Sequence, residues 1–506
     1  MYYKVSRDPV FNEVFLYPLE IIFIDTKSIQ RLRFLSQLVG AVNVYPSASH
    51  TRLAHSMGTM HIAGMYSSHL FKDDYSKIRI LRLAGLVHDI GHGPFSHQFD
   101  DTVYKKAGYK DGHDDYRKRM ILEYLPDVLY KKIENLGVEK LKKCVLEDLE
   151  KTTGSKDLKE GIDILTKKIN EVFEGEHTGS TDFNILQGPL GADRLEFVLR
   201  DSFFAGTRNF GSGYIERIIR SSKIKDGKLI YDLKVIDDIY SVLFSRFMMY
   251  KNVYFHKTSR ASDLLLQDIL NYAIKPLRLI ERVKNIEDFL DLTDNSVINE
   301  ITYIFKSKKK EILKKLGITE EDLDKNLFSD YNVDDLSDEE RDLFDAYKSA
   351  ERYKCRDLWK CVYDNSFSIT GFDPSVVSQS AGMDIISKII SNTKKLIENK
   401  KIEKGDEKAA KWIVNNPGLL FKIDTPYKLS LSYPEEFLSN NVELYDNKRG
   451  DIISYRDFED RYPSYKLMTD NLIQMVRIYC TLDIRSFLKK YKVVPGSSET
   501  KITTRW

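Results

Sequence analysis

The stretch from Leu81 to Phe99, LRLAGLVHDIGHGPFSHQF, decides how this chain is read. Leu81, Leu83, Ala84, Leu86 and Val87 form an apolar run at helical spacing that Gly91 stops. The run carries His88 and Asp89 side by side to a buried helix end, and His92 and His97 follow around Gly93 and Pro94. Imidazole nitrogens and carboxylate oxygens bind divalent first-row metals and magnesium, whereas thiolates select softer ions. Neighbouring side chains on a helix point about 100° apart, so a metal held by His88 and Asp89 needs ligands from elsewhere. His55, in HTRLAHSMG, and Asp193, in GPLGADRLEF, are available. Eight of the ten histidines lie between His50 and His113, a concentration that packing does not require. A lone histidine is ordinarily structural. This cluster predicts metal-centred catalysis.

The 506 residues, 42% hydrophobic and 12% aromatic, leave room for two to four domains and a large core. A net charge of +2 makes no global basic field, so nucleic-acid binding is allowed but not indicated. Cys144, Cys355, Cys361 and Cys480 have neither metal nor disulfide-framework spacing, which suits a reducing cytoplasm. No signal peptide and no apolar run of membrane-spanning length is present, so a cytoplasmic protein without membrane contact is expected. There is no internal repeat and no Gly-rich phosphate loop.

Taken in order, residues 1–24 predict an extended piece containing Pro9, then an amphipathic helix. DTKSIQRLRFLSQL predicts a helix capped by Asp25 or Thr26, with Ile29, Leu32, Leu35 and Leu38 on one face. After a loop at Pro46, Ser47 and Ser49, a helix runs through His55, Thr59, Ile62 and Ala63; His61 and His69 are structural, and His50 is a candidate for local hydrogen bonding. Residues 127–180 read as a charged helical insertion at the rim. Asp193 opens a helix that sets Arg194, Phe197 and Asp201 on one face. Asp226-Gly227 between alternating runs is a β-hairpin signal, and Arg246, Tyr250 and Tyr254 form one helical stripe. The chain then turns acidic and helical. Residues 369–440 suggest a small α+β lobe, NLIQMVRIYCTLDIRSFLKKY a final helix, and 491–506 a mobile tail. The expected division is a catalytic domain over 1–285 and a regulatory and oligomerisation region over 286–490.

HDIGHGPFSH, with RLAHS before it and GPLGADRLEFVLRDS after it, resembles the HD-domain phosphohydrolases, and within them the deoxynucleoside triphosphate (dNTP) triphosphohydrolases. The resemblance extends over nearly the whole chain. It implies a mainly α fold, a helical HD-domain metallophosphohydrolase core with a smaller α+β C-terminal regulatory lobe. Lys4 to Pro9 already reads as the start of the catalytic module, so no SAM-like domain is expected ahead of it. The resemblance makes His55, His88, Asp89 and Asp193 the ligands of one divalent ion: magnesium, manganese, iron or zinc. It makes His97, held by Asp100, the general acid, and sets His92, His113, Arg52, Arg194 and Arg246 on the phosphates. Gln37, Leu38, Asp201 and Tyr254 match sugar contacts, with Leu38 and Tyr254 leaving no room for a 2′-hydroxyl; Phe197 and Tyr250 complete the pocket. Family members commonly have Lys and Tyr at the positions of Arg194 and Phe197. Arginine keeps a bidentate phosphate grip, but one polar contact is lost at Phe197. Vertebrate members have His at the position of Tyr250.

Lys4, Asp25, Gln30, Arg33, Val44, Tyr45, His256, Lys257, Arg356 and Lys360 match the family's activator-nucleotide positions. They imply activation by GTP or dNTPs, with magnesium accompanying the nucleotide, and a homotetramer. Glu13 and Asp232 stand where vertebrate members have His and Arg, which leaves open a different activator or constitutive activity. The expected reaction converts dNTPs to deoxynucleoside and inorganic triphosphate. The alternatives are an HD phosphohydrolase for other nucleotides or cyclic nucleotides, and a metal-dependent nuclease or single-strand binder.

Overall fold

The computed structural model describes residues 3–208, 215–321, 323, 335–369, 374–426, 442–462, 465 and 472–496. The chain opens with an antiparallel hairpin, β1 (Lys4–Asp8) and β2 (Asn12–Leu16), where a single extended piece was expected. Asp8 Oδ1 closes the turn by accepting the Val10 and Phe11 N–H groups at 2.8 and 3.0 Å. β1 buries no side chain fully, so the sequence showed no alternation there.

Two short helices follow, α1 (Pro18–Ile24) and α2 (Lys27–Arg31). Thr26, not Asp25, caps α2 by accepting the Ile29 N–H. The helix tightens into a 3₁₀ turn at Leu32–Phe34, and Leu35 is already extended. Ile29, Leu32 and Leu35 are buried as expected, but Leu38 lies beyond the helix. The central pair is α3 (Arg52–Leu70) against α4 (Tyr75–Val87). Gly85 lets them approach, because a Cβ there would stand 2.9 Å from the Met60 backbone.

Next come α5 (His113–Arg119), α6 (Leu125–Glu134), α7 (Glu139–Thr153) and α8 (Leu158–Glu174). The stretch expected as a rim insertion contributes to the main core. Val145, Leu149, Leu165 and Ile169 pack in one cluster with Leu81, Leu83 and Leu86. Asp148 of α7 is buried and accepts from Arg79 Nε and from the Leu19 N–H, both at 3.1 Å. The other charged residues of α7 and α8 lie on exposed or half-buried faces.

After α9 (Ala192–Phe204) the Asp226-Gly227 hairpin forms as expected, between β3 (Ser222–Lys225) and β4 (Lys228–Asp232). Both turn residues take positive φ, 52° and 75°, as its tight turn demands. The helical stripe of Arg246, Tyr250 and Tyr254 starts in α10 (Ile236–Met249) and continues through a π-helical turn at Tyr250–Tyr254, after which α11 (Lys257–Ala273) begins. α12 (Asp294–Leu316) and α13 (Asp338–Lys354) complete the helical body. The C-terminal region holds β5 (Lys360–Ile369), α14 (Pro374–Glu398), α15 (Glu407–Asn415), β6 (Phe421–Asp424), β7 (Glu443–Asp446), β8 (Asp451–Ser454), β9 (Leu472–Cys480) and α16 (Leu482–Lys490).

The sheets run β3-β4-β7-β8 and β5-β9-β6. Residues past 285 enter the main core, among them Val297, Ile301, Ala346, Leu444 and Tyr455, so that expected boundary does not separate two cores. A second core gathers Ile389, Ile413, Phe421, Ile478, Phe487 and Val493 in a smaller α+β lobe. Val493 is thus anchored, while 497–506 of the expected tail and 427–441 lie outside the described residues.

The expected single C-terminal helix is corrected to strand β9 followed by α16. Val476, Ile478 and Cys480 face the second core, while Arg477 and Tyr479 are equally buried on the other face. Arg477 bonds Asp364 and the Phe255 carbonyl; Tyr479 donates to the Lys257 carbonyl. A strand buried on both faces shows no clean alternation, so periodicity does not tell it from a helix. Ile478→Ala is expected to cost about 2–5 kcal/mol. Leu482→Ala, at a position 50% exposed, is expected to stay within about 0.5 kcal/mol. Denaturant midpoints compare the two.

Candidate functional site

The first turn of α3, the end of α4 and the start of α9 bring His55, His88, Asp89 and Asp193 together. His55 Nε2 stands 3.1 Å from both Asp193 Oδ1 and His88 Nε2. His88 Nε2 is 3.3 Å from Asp89 Oδ1, and Asp89 Oδ2 is 3.9 Å from His55 Nε2. The outer nitrogens settle the tautomers. His88 Nδ1 donates to the Gly85 carbonyl at 2.8 Å, and His55 Nδ1 donates to Glu196 Oε2 at 2.5 Å. Each Nε2 therefore faces the two carboxylates, the side from which a neutral ring would bind a cation. Such a gathering of acceptors fits a divalent cation. Burial opposes charge on His55, but Glu196, Asp193 and Asp89 outweigh it and push the imidazole up to about 10. Burial likewise opposes the Asp89 charge, yet Arg52 holds that carboxyl well below its usual range.

A second group sits alongside. The His92 ring stacks on His113 at 3.6 Å; burial and Arg52 hold it well below the usual imidazole range, so it is neutral. Asp100 Oδ2 accepts from His113 Nδ1 at 2.8 Å and from His97 Nδ1 at 3.2 Å. The expected His97–Asp100 pair is present, but His113 shares the carboxylate more closely. Burial would raise Asp100, and the hydrogen bonds from His113 and His97 reverse that. Burial also opposes charge on His113, which Asp100 nonetheless raises. The His97 side chain is 70% exposed.

The loop between these groups is strained, with Phe95 and Ser96 at φ 60° and 57°. Buried residues from distant elements hold it. Arg31 Nη1 donates to the His92 carbonyl at 2.8 Å, and Asp294 Oδ1 accepts the Phe95 N–H at 2.7 Å. Arg31 is buried with Leu35, four residues on, and that helical spacing from an apolar position is the cue the sequence offers for it.

One cavity of about 350 Å³ joins the site, a usual size for a small-ligand pocket. Its lining includes His55, Asp89, Asp193, His92, His97 and His113, together with Gln37, Leu38 and Arg52. Phe197, Asp201, Tyr250 and Tyr254 line it as well, whereas Arg194 and Arg246 are half-buried outside the lining. Arg52 donates to Asp89 Oδ2 at 2.5 Å and to Ser96 Oγ at 2.8 Å. Both Asp201 oxygens are engaged, by Tyr254 Oη at 2.6 Å and His50 Nε2 at 2.8 Å. His50 therefore bonds across the fold rather than locally, and stacks on Phe204. Leu38 and Tyr254 share one apolar cluster with Ala41 and Met249.

Sequence reasoning missed Gln187, Gln98, Ser259, Arg260 and Asp263 in the lining. Burial pushes Asp263 up to about 7 against the pull of Arg260, which reaches Asp424 of β6 at 2.7 Å.

Of the expected activator residues, Lys257, Arg356 and Lys360 line a second cavity of about 360 Å³ with Arg485. Burial lowers Lys360, with Arg485 and Arg356 adding to it against Asp357. Tyr45 meets His256 edge-on, Val44 is half-buried beside it, and Arg33 donates to Gln30 at 3.1 Å. Lys4 and Asp25 are exposed, and no side-chain bond among the described residues joins them to these groups. Glu13 pairs with Arg7 across the hairpin, and Asp232 caps the turn after β4.

A family model described as HD domain matches residues 52–166, and one described as HD associated region matches 215–351. The chain is 26% identical over 318 residues to a Dictyostelium discoideum protein named deoxynucleoside triphosphate triphosphohydrolase SAMHD1 homolog, covering 60% of this chain and 55% of that one. It is 30% identical over 311 residues to an uncharacterized protein of Methanocaldococcus jannaschii, covering 59% and 57%. Human deoxynucleoside triphosphate triphosphohydrolase SAMHD1 is 26% identical over 357 residues, covering 62% and 53%.

The chain spans about half the length of the curated relatives it matches. The matched sequence is about three-fifths of this chain, less than the near-complete extent expected. In fold alone, a hypothetical protein from Aquifex aeolicus matches with a TM-score of 0.59 at 21% identity, over 97% of this chain and 99% of its own. A phosphohydrolase from Bacteroides thetaiotaomicron matches with 0.61 at 18%, over 94% and 99%. No helix of the described residues is long and apolar enough to cross a membrane. Manganese titration of chelator-treated protein is expected to show uptake that Asp193→Ala abolishes, read by calorimetry.

Proposed function

The chain belongs to the HD-domain phosphohydrolases, and from that premise we propose that it hydrolyses dNTPs to deoxynucleoside and inorganic triphosphate. The observation that carries this reading is the placement of Asp201 on the same helix as Asp193, two turns on, with both residues lining one cavity. Tyr254 and His50 fix that carboxylate, which leaves it oriented to accept a sugar 3′-hydroxyl beside the metal ligands. An HD phosphohydrolase for a substrate without a free sugar 3′-hydroxyl has no need of this pair.

His55, His88, Asp89 and Asp193 would hold a divalent ion, which when bound supplies Lewis-acid polarisation of a phosphoryl oxygen and a more acidic water. Arg52 offsets the growing charge on the phosphate oxygens, with neutral His92 and the Asp100-bonded His113 beside it, and Arg194 and Arg246, outside the cavity lining, would turn inward to join it. The 5′-oxygen leaves as a poor alkoxide, and His97, at the exposed mouth and braced by Asp100, donates its proton. Leu38 and Tyr254 close the space a 2′-hydroxyl would occupy. The basic cavity of Lys257, Arg356 and Lys360 supports binding of a GTP or dNTP activator, and on this reading the active form is a homotetramer.

Product analysis of each dNTP with magnesium or manganese, with and without GTP, tests the reading. Deoxynucleoside with intact triphosphate is expected. Pyrophosphate or monophosphate as product, or no turnover in any mixture, overturns it in favour of another HD phosphohydrolase or a nuclease. His97→Ala is expected to lower kcat by about 10²–10⁴-fold. Leu38→Ala is expected to reduce the preference for dNTPs over NTPs, read as a ratio of kcat/KM values.

A further inference from the structure

The two histidines of the metal-ligand group are oriented differently. His88 leans on the Gly85 carbonyl, a neutral acceptor on its own helix. His55 leans on a carboxylate, Glu196, which is fully buried. That carboxylate does not stand alone. Glu196 Oε1 accepts from Arg200 Nε at 2.5 Å, one turn further along α9, and Arg200 is also fully buried. Arg200 Nη2 in turn donates to Asp8 Oδ2 at 2.9 Å. The other oxygen of Asp8 closes the turn of the N-terminal hairpin. Three groups of alternating charge, Asp8, Arg200 and Glu196, thus run from the hairpin turn to a ring whose far nitrogen faces Asp193.

The backbone makes room for this chain of contacts. Gly58 lies one turn after His55 on α3, and a Cβ there would come within 2.0 Å of Glu196 Oε1 and 2.8 Å of Arg200 Nη2. Any other residue at 58 would push the carboxylate off the imidazole. A buried acid with both oxygens committed, in a space cleared by glycine, is costly unless its partners are held in place. A carboxylate behind a ligating histidine fixes the tautomer, aims the ring and raises its basicity.

We propose that Glu196 is the positioning residue for His55 and that Asp8, through Arg200, holds Glu196 in place, so that hairpin closure and metal affinity are coupled. Without Asp8, the Arg200 charge is balanced by Glu196 alone and draws that carboxylate away from His55. The inference rests on His55 being a metal ligand.

The test is manganese affinity of the full chain by calorimetry, with cobalt absorption spectra as a second readout, independent of any substrate. Glu196→Gln is expected to weaken manganese about 10–100-fold, the usual effect of removing such a partner, and to shift the cobalt spectrum. Asp8→Asn, which keeps the shape of the turn, is expected to give a smaller loss of the same sign. The double variant should lose less than the sum of the two free-energy changes, as partners in one network do. If Glu196→Gln is too unstable to purify, Glu196→Asp, which keeps the charge but withdraws the oxygen, takes its place with the same expected direction. Folded variants that bind manganese as the wild type does overturn the proposal. An Asp8→Asn affinity equal to wild type overturns the coupling to the hairpin. A wild-type chain that binds no metal defeats the metal reading itself, which separates that failure from failure of the relay.

Discussion

Two imidazoles and two carboxylates turn their Nε2 and oxygen atoms toward one another, and the rest of the site follows from keeping them there. Two carboxylates so placed repel one another unless positive charge, a protonated ring or a cation, stands between them, and buried charge is expensive. The fold supplies the opposing constraints from outside: the Gly85 carbonyl and Glu196 behind the rings, and Arg52 against Asp89. Three segments, the first and last 138 residues apart in sequence, must arrive together for this to happen. The close α3–α4 packing that Gly85 allows is what sets two of them in register.

Buried ion pairs recur wherever the core must also fix a direction. Arg79 pairs with Asp148 under the face of Tyr75, and Arg82 holds Glu20 at 2.6 Å. Arg31 pins the His92 carbonyl while its guanidinium lies over the Phe289 ring. Breaking such a pair strands a charge, which typically costs about 3–5 kcal/mol, so these contacts favour one arrangement over near alternatives. They also link function to distant elements: Asp294 of α12 supports the strained Phe95–Ser96 loop, and Asp424 of the smaller lobe holds Arg260 at the cavity wall.

Much of the site was legible in sequence because its chemistry is dense and local. His88, Asp89, His92 and His97 fall within ten residues, and the Asp193–Asp201 spacing puts both on one side of a helix. The Asp226-Gly227 turn was legible for a similar reason: positive φ at both residues leaves few choices of side chain. The failures were of two kinds. β9 is buried on both faces and so carries no period that separates strand from helix. Glu196 behind His55, and Arg31 and Asp294 behind the His92–Ser96 loop, look like ordinary polar positions, since nothing in the local pattern says that their surroundings are dry.

The sequence by itself determined which chemistry is available, where helices α3, α4 and α9 present it, and that the chain is mainly helical. Residue type and short-range periodicity act within a turn or two, and those features need nothing more. Only the tertiary structure decided that His113 shares Asp100 with His97, that His50 and Tyr254 divide Asp201, and that residues 127–180 build core rather than rim. It also decided that a hairpin turn at Asp8 reaches the ring of His55. These are contacts between segments far apart in sequence, fixed by burial and by the need of every buried charge for a partner, and no local pattern encodes which partner that is.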